Sequence, residues 1–178
     1  MDNIYLVGFM GTGKSVVGRE LAKKNKRKFI DLDELIELKE KRRICDIFAK
    51  DGEPYFRRIE KKVLKEVSRE RKFIVSCGGG IVIDKENIRL MKKTGLIICL
   101  TATPEEIFKR VSGCKLRPKL NLAQPKKQIE FLLKLRSPYY AQADKTINTS
   151  KISVKEVVDK IIRLISVKGK TKTKKCKE

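Results

Sequence analysis

The residues with the clearest chemical capacity are Gly8-Phe9-Met10-Gly11-Thr12-Gly13-Lys14-Ser15, which satisfy G-x-x-x-x-G-K-[ST] at every fixed position. Glycine permits a tight loop with inward-facing backbone N–H groups, and a helix opening directly after it adds positive potential. Such a loop cradles nucleotide phosphates. The reading assigns the cradle to Gly11, Thr12, Gly13, Lys14, Ser15 and Val16. Lys14 is expected to pair with β- and γ-phosphate oxygens, and the Ser15 hydroxyl to ligate Mg²⁺, a hard ion that prefers oxygen. The loop alone does not choose among ATPase, GTPase and kinase chemistry.

Three further features bear on what receives the phosphate. Asp31-Leu32-Asp33 follows a short apolar run, and residues two apart on an extended segment point the same way. One carboxylate can then hold the water shell of a metal ion while the other accepts a proton from an attacking hydroxyl. The pair reads equally well as caps for a helix beginning at Glu34. In Phe56-Arg57-Arg58-Ile59-Glu60, a glutamate three positions after Arg57 suits a guanidinium held by a carboxylate while it binds an anion. Ordinary i,i+3 pairing on a solvated helix face explains the same spacing. Gly78-Gly79-Gly80 lets a ligand approach the backbone, or is a plain loop.

The elements that must position these residues are legible as hydrophobic runs. Strands are expected over Ile4–Val7, Phe29–Ile30, Phe73–Ser76 and Leu96–Leu100, with a possible fifth at Lys145–Asn148. Helices are expected over Val16–Lys24, over Leu32–Arg71 with a break at Asp51-Gly52-Glu53-Pro54, and over Lys85–Lys93, Glu105–Val111, Gln128–Arg136 and Val154–Val167. Short apolar strands without clean alternation, interleaved with helices, predict an α/β fold with a parallel sheet covered on both faces. The glycines and carboxylates fall at strand C-termini, the edge where such sheets bind ligands. The Gly- and Pro-broken segment 112–125 suits a lid that excludes water. We expect one domain over 1–167 and a basic, disordered tail over 168–178.

Composition removes several function classes. The 178 residues contain no histidine, which excludes a Ser-His-Asp triad, a Cys-His pair and histidine metal sites. Five cysteines, with no C-x-x-C spacing, argue against a disulfide framework or zinc site and for a reducing cytoplasm. No run is long and apolar enough to span a bilayer, and the start of the chain carries no signal-peptide pattern. The net charge is +22, part of it in six lysines of the tail. A charge of this size suits anionic small molecules. A nucleic-acid-binding protein is the alternative from another class, but no aromatic-interleaved basic stripe supports it.

In order and spacing, the phosphate loop, Asp-x-Asp, Phe-Arg-x-x-Glu, Gly-Gly-Gly, the Arg-Pro of Leu116-Arg117-Pro118, and the Arg-x-x-x-Tyr of Arg136-Ser137-Pro138-Tyr139-Tyr140 resemble the shikimate kinase family. The resemblance covers roughly residues 3 to 165. It implies a three-layer P-loop kinase fold, with a mostly five-stranded parallel sheet, a substrate-binding insertion near 32–61 and a lid. It also implies transfer of the γ-phosphate of ATP to the 3-hydroxyl of shikimate with Mg²⁺, in a cytoplasmic monomer. Asp33 would bind shikimate hydroxyls and act as base; Asp31 would act near Mg²⁺. Arg57 and Arg136 would grip the shikimate carboxylate, with Gly79 and Gly80 offering backbone contacts and Glu60 orienting an arginine. Arg117 would close on the ATP phosphates, and Arg110 would lie against adenine. Two departures stand out. Lys119 replaces an apolar lid residue, and Asn148 stands where an Asp-Thr pair is expected, which puts adenine contacts from Thr149 to Ser153 in doubt. Within enzymes, the alternative is another small-metabolite kinase, acting on gluconate or a nucleoside monophosphate.

Overall fold

The computed structural model describes residues 2–112 and 124–172. Five parallel strands form one sheet: β1 (Asn3–Val7), β2 (Lys28–Asp31), β3 (Phe73–Ser76), β4 (Gly95–Thr101) and β5 (Lys145–Asn148), in the order β2-β3-β1-β4-β5. From β1 the chain passes to the edge strand β2, returns to β3 between them, and then crosses to β4 on the other side, so the order reverses beside β1. Ligand crevices open at the C-terminal ends of strands beside such a reversal.

Alternate residues of the inner strands feed two cores. Tyr5, Val7, Val75, Ile97 and Cys99 pack with Phe56, Ile59, Val63, Met91 and Ile129 on one face. Ile4, Leu6, Ile74, Ile98 and Leu100 pack with Val17, Leu21, Val157, Val158 and Ile161 on the other. The apolar runs lack polar alternation because neither face meets water. The expected parallel sheet, covered on both sides, is therefore the one observed.

The helices are α1 (Lys14–Lys24), α2 (Leu32–Glu40), α3 (Ile44–Arg69), α4 (Lys85–Thr94), α5 (Pro104–Val111), α6 (Pro125–Tyr140) and α7 (Val154–Lys172). Side-chain caps fix several starts. Asp84 accepts from the Glu86 N–H at 2.7 Å and Thr103 from the Glu106 N–H at 3.3 Å. Ser153 and Glu156 cap each other before α7.

Three boundaries differ from the sequence reading. The long helical stretch breaks twice: Gly52 stands at φ 80° inside α3, as expected, but Lys41, at φ 52°, also ends α2. Nothing in Lys41-Arg42-Arg43 announces that stop. Pro125 opens α6, where a missing N–H costs nothing, and Pro138 is accommodated in its last turn. The helix thus runs one turn past Arg136. Finally, α7 continues past Val167 to Lys172.

Ile74 is fully buried on β3, between β2 and β1. Ile74→Ala should cost about 2–5 kcal/mol of unfolding free energy in a denaturant titration. A loss well under 1 kcal/mol would contradict the packing described.

Candidate active site

Every candidate residue within the described segments lies at, or reaches to, the C-terminal edge of the sheet. The loop after β1 is shaped by three left-handed glycines: Gly8 at φ 138°, Gly11 at φ 76° and Gly13 at φ 93°. A methyl group on Gly8 would lie 2.1 Å from the Leu100 carbonyl oxygen of β4, so no side chain fits there. The Thr12 hydroxyl turns inward and donates to the Phe9 carbonyl at 2.8 Å, so only its backbone remains to meet a ligand. Lys14 Nζ bridges the loop, donating to the Gly8 and Phe9 carbonyls at 2.9 Å each. Val16, on the first turn of α1, is exposed.

Asp31 caps a helix and also faces the phosphate loop, so the two readings of the sequence are compatible. Its Oδ1 accepts from the Asp33 N–H at 3.1 Å and caps α2. Its Oδ2 accepts from the Ser15 hydroxyl at 2.6 Å. Ser15 and Asp31 therefore place two hard oxygens together beside the phosphate loop. Such a donor set fits an ion like Mg²⁺, which takes few protein ligands and keeps the rest as water and phosphate.

Asp33 looks into the space beside this pair. Burial, reinforced by the neighbouring Asp31 charge, raises its pKa to about 6, against the opposing pull of Lys14 and Arg57. A carboxylate held there as an acceptor is suited to take or orient a hydroxyl proton.

The acceptor half is built on the second part of α3, on α6 and on the triple glycine. Arg57 Nη1 donates to Glu60 Oε2 at 2.6 Å, and its Nη2 and Nε donate to Glu53 Oε1 at 2.8 and 3.2 Å. Glu60 is fully buried, whereas the Glu53 side chain is about half exposed. A methyl on Gly80 would sit 2.2 Å from Arg57 Nη2, so the arginine lies directly over that backbone. A methyl on Gly79 would lie 3.7 Å from Arg136 Nη1 and 3.5 Å from the Gly8 carbonyl oxygen. Gly79 is thus the seam between phosphate loop and acceptor pocket. Arg136 stacks on Phe9, with its guanidinium carbon 5.6 Å from the ring centre.

Tyr140 was missed as a site residue, because the sequence reading ended its helix at Arg136. It lies one turn beyond Arg136 on the same face of α6 and donates from its hydroxyl to the Gly79 carbonyl at 2.7 Å. Burial pushes its pKa up to about 12, against the pull of Arg136. It is therefore a permanent donor that locks the triple glycine to α6. The Arg-x-x-x-Tyr spacing was the available signal.

Arg110 bridges α5 to the loop after β5. It donates to Thr149 Oγ1 at 3.1 Å, to the Thr149 carbonyl at 3.0 Å and to the Gly11 carbonyl at 3.3 Å. Thr149 Oγ1 in turn donates to either the Thr12 or the Thr101 carbonyl, which lie at 3.1 and 3.0 Å. Arg110 thus ties the expected adenine loop to the phosphate loop. Arg117, Lys119 and most of the expected lid lie outside the described residues.

A phosphate cradle with a hard-oxygen pair, facing a cationic pocket floored by two carboxylates, defines a P-loop kinase that phosphorylates a small molecule. Residues 10–166 match the family model described as shikimate kinase. The shikimate kinase of Caldanaerobacter subterraneus is 42% identical over 171 residues, covering 96% of this chain and all of that protein. The structure of an Acinetobacter baumannii shikimate kinase in complex with shikimate superposes with a TM-score of 0.90 at 37% identity, over 94% of each chain. That of the Aquifex aeolicus enzyme does so at 0.78 and 33% identity, covering 95% of this chain and 98% of that one. The chain belongs to the shikimate kinase family.

Gly80 supplies a test of the pocket. Its φ of −103° suits any residue, so Gly80→Ala should fold normally yet push the Arg57 guanidinium aside. The expected result is a severalfold rise in KM for the acceptor with KM for ATP unchanged. An unchanged acceptor KM would contradict the placement of Arg57.

Proposed function

We propose that this chain transfers the γ-phosphate of ATP to the 3-hydroxyl of shikimate, giving shikimate 3-phosphate and ADP in the route to chorismate and the aromatic amino acids. The observation that carries this reading is the junction at Gly79, where the phosphate loop, Arg136 and the Tyr140 hydroxyl meet beside Arg57, Glu60 and Asp33.

In this reading the backbone of Gly11, Gly13 and neighbouring residues binds the ATP phosphates. Lys14 exchanges its carbonyl partners for phosphate oxygens and follows the charge as it moves toward the leaving group. Ser15 and Asp31 would hold Mg²⁺, which would neutralise phosphate charge when bound. Arg57 and Arg136 clamp the acceptor carboxylate from two elements, which fixes the ring against the γ-phosphate. Asp33 orients the 3-hydroxyl and takes its proton. The backbone of Gly79 and Gly80 packs on the acceptor. Arg110 borders the adenine side, and Arg117 closes over the phosphates. A cytoplasmic monomer fits the sequence reading.

Phosphoryl transfer asks for positioning and charge compensation, and these residues supply both without covalent chemistry. A coupled ADP-release assay over a panel of small hydroxy acids tests the assignment. Turnover is expected with shikimate; turnover with another acceptor alone would contradict it.

Lys14→Ala should lower kcat by about 10²-fold or more, since it removes charge stabilisation made mainly in the transition state. Arg57→Ala and Arg136→Ala should instead act chiefly on KM for shikimate, by about tenfold or more for each lost charge-assisted contact. If both arginine variants left that KM unchanged, the carboxylate clamp would be wrong. Asp33→Asn should reduce kcat by about 10²–10⁴-fold with both ligands still bound, checked by single-turnover kinetics.

A further inference from the structure

Glu60 carries a feature that holding Arg57 does not explain. Its side chain is fully buried, one carboxylate oxygen accepts from Arg57 Nη1 at 2.6 Å, and the other, Oε1, has no hydrogen-bond partner among the described residues. An ionised carboxylate with a buried, unsatisfied oxygen is costly; a carboxylic acid there is less so. Oε1 points at Gly78. A methyl on Gly78 would lie 2.6 Å from Glu60 Oε1 and 3.0 Å from Asp33 Oδ1, so both oxygens bear on the same small space at the pocket floor.

Few charges reach Glu60 from the surrounding elements. Among the described residues Arg57 is its one cation in contact, and Glu53 competes for that cation from the same helix. Asp33 of α2 adds like charge, and the buried Cys77 thiol lies beyond β3 with its pKa raised well above the ordinary value, first by burial and then by Glu60. Lys14 opposes, acting on Asp33 and Cys77, and Arg136 stands on the far side of Gly79. Asp84 and Glu86, from the α4 side, are engaged by Lys61.

We propose that Glu60 is a proton-accepting positioning residue: when an acceptor carboxylate occupies Arg57, Glu60 takes up one proton from solvent, so acceptor binding and protonation are coupled. The inference rests on the reading that Arg57 binds the acceptor carboxylate. The physical reason is a shared cation. In the free protein the Arg57 charge stabilises the ionised Glu60. A second carboxylate on the same guanidinium cancels part of that charge and brings its own negative field into a buried site. The proton on Glu60 then removes one of the two competing anions, while the neutral acid keeps an acceptor oxygen on Arg57. The arginine is left oriented, with its charge directed to the acceptor.

The pH window follows from the free-state value. Burial, opposed by Arg57, puts Glu60 at about 7. Well below that pH the group is protonated with or without acceptor, and binding takes up nothing. From about pH 7 upward the free group is ionised and the bound one protonated, so uptake appears and affinity falls as pH rises. If the proton affinity of Glu60 rises about tenfold on binding, uptake reaches about half a proton at roughly pH 7.5. A small carboxylic acid such as the acceptor is already ionised there, with a pKa near about 4.

Calorimetric titration of the full chain with shikimate, in HEPES and in Tris at matched pH, reads the proton count from the difference in apparent enthalpy. The wild type should take up a measurable fraction of a proton near pH 7.5 and none near pH 5.5. Glu60→Gln keeps an oxygen for Arg57 but cannot titrate; it should bind shikimate with no uptake and with affinity flat across the window. No uptake by the wild type, or uptake that survives in Glu60→Gln, would overturn the proposal while leaving the acceptor site intact. A wild type that does not bind shikimate at all would overturn the acceptor reading and this one with it. Because an absence of uptake by the wild type overturns the proposal by itself, the test stands even if the variant does not fold.

Discussion

A fully buried glutamate needs a cation, and in this protein the cation is Arg57, bonded to Glu60 at 2.6 Å. Without Arg57 an ionised Glu60 would be left without compensation, and it would take up a proton instead. The pair therefore fixes the guanidinium, and the chain around it is arranged to leave that guanidinium room. Gly80 has no side chain because the arginine occupies that volume, and Gly78 has none because Glu60 Oε1 and Asp33 Oδ1 occupy its space. Half of the pocket is thus specified by atoms that are missing from glycines.

The other half depends on the sheet. Parallel strands deliver their C-terminal residues to one edge, and the reversal of order at β1 opens a crevice there. Gly8 follows β1, Asp31 ends β2, and Ser76 ends β3 with only Cys77 between it and the triple glycine. Asp31 and Ser76 are partners in the register, so the metal-side carboxylate and the glycine loop begin at the same level. Tyr140 and Arg136 then reach in from α6, so that one glycine, Gly79, touches both the nucleotide and acceptor halves. In the proposed reading that seam would set the separation of donor and acceptor, and positioning of this kind is what phosphoryl transfer chiefly requires.

Much of this was legible in the sequence where the signal is local. The phosphate loop needs left-handed glycines, and its motif states two of the three, Gly8 and Gly13, outright. The strands were legible because both sheet faces are dry. Asp31 and Asp33 were ambiguous for a physical reason: capping a helix and lining a site are compatible, and Asp31 does both with different oxygens. Other features depend on packing and leave no local trace. The spacing of Arg57 and Glu60 is that of any surface pair; only the buried state of Glu60 distinguishes it. Tyr140 was hidden because the expected helix ended at Arg136, whereas α6 runs on through Pro138 to Tyr140. The break at Lys41 carries no glycine or proline to mark it.

The central claim is that two arginines from different helices close on one carboxylate while Asp33 meets a hydroxyl on the opposite side of the ring. A crystal structure with ADP and shikimate tests it most directly. The account predicts the carboxylate lodged between Arg57 and Arg136, the 3-hydroxyl within hydrogen-bond reach of Asp33, and the ADP β-phosphate in the loop from Gly8 to Ser15. Density placing shikimate elsewhere, with either arginine turned away from its carboxylate, would contradict it.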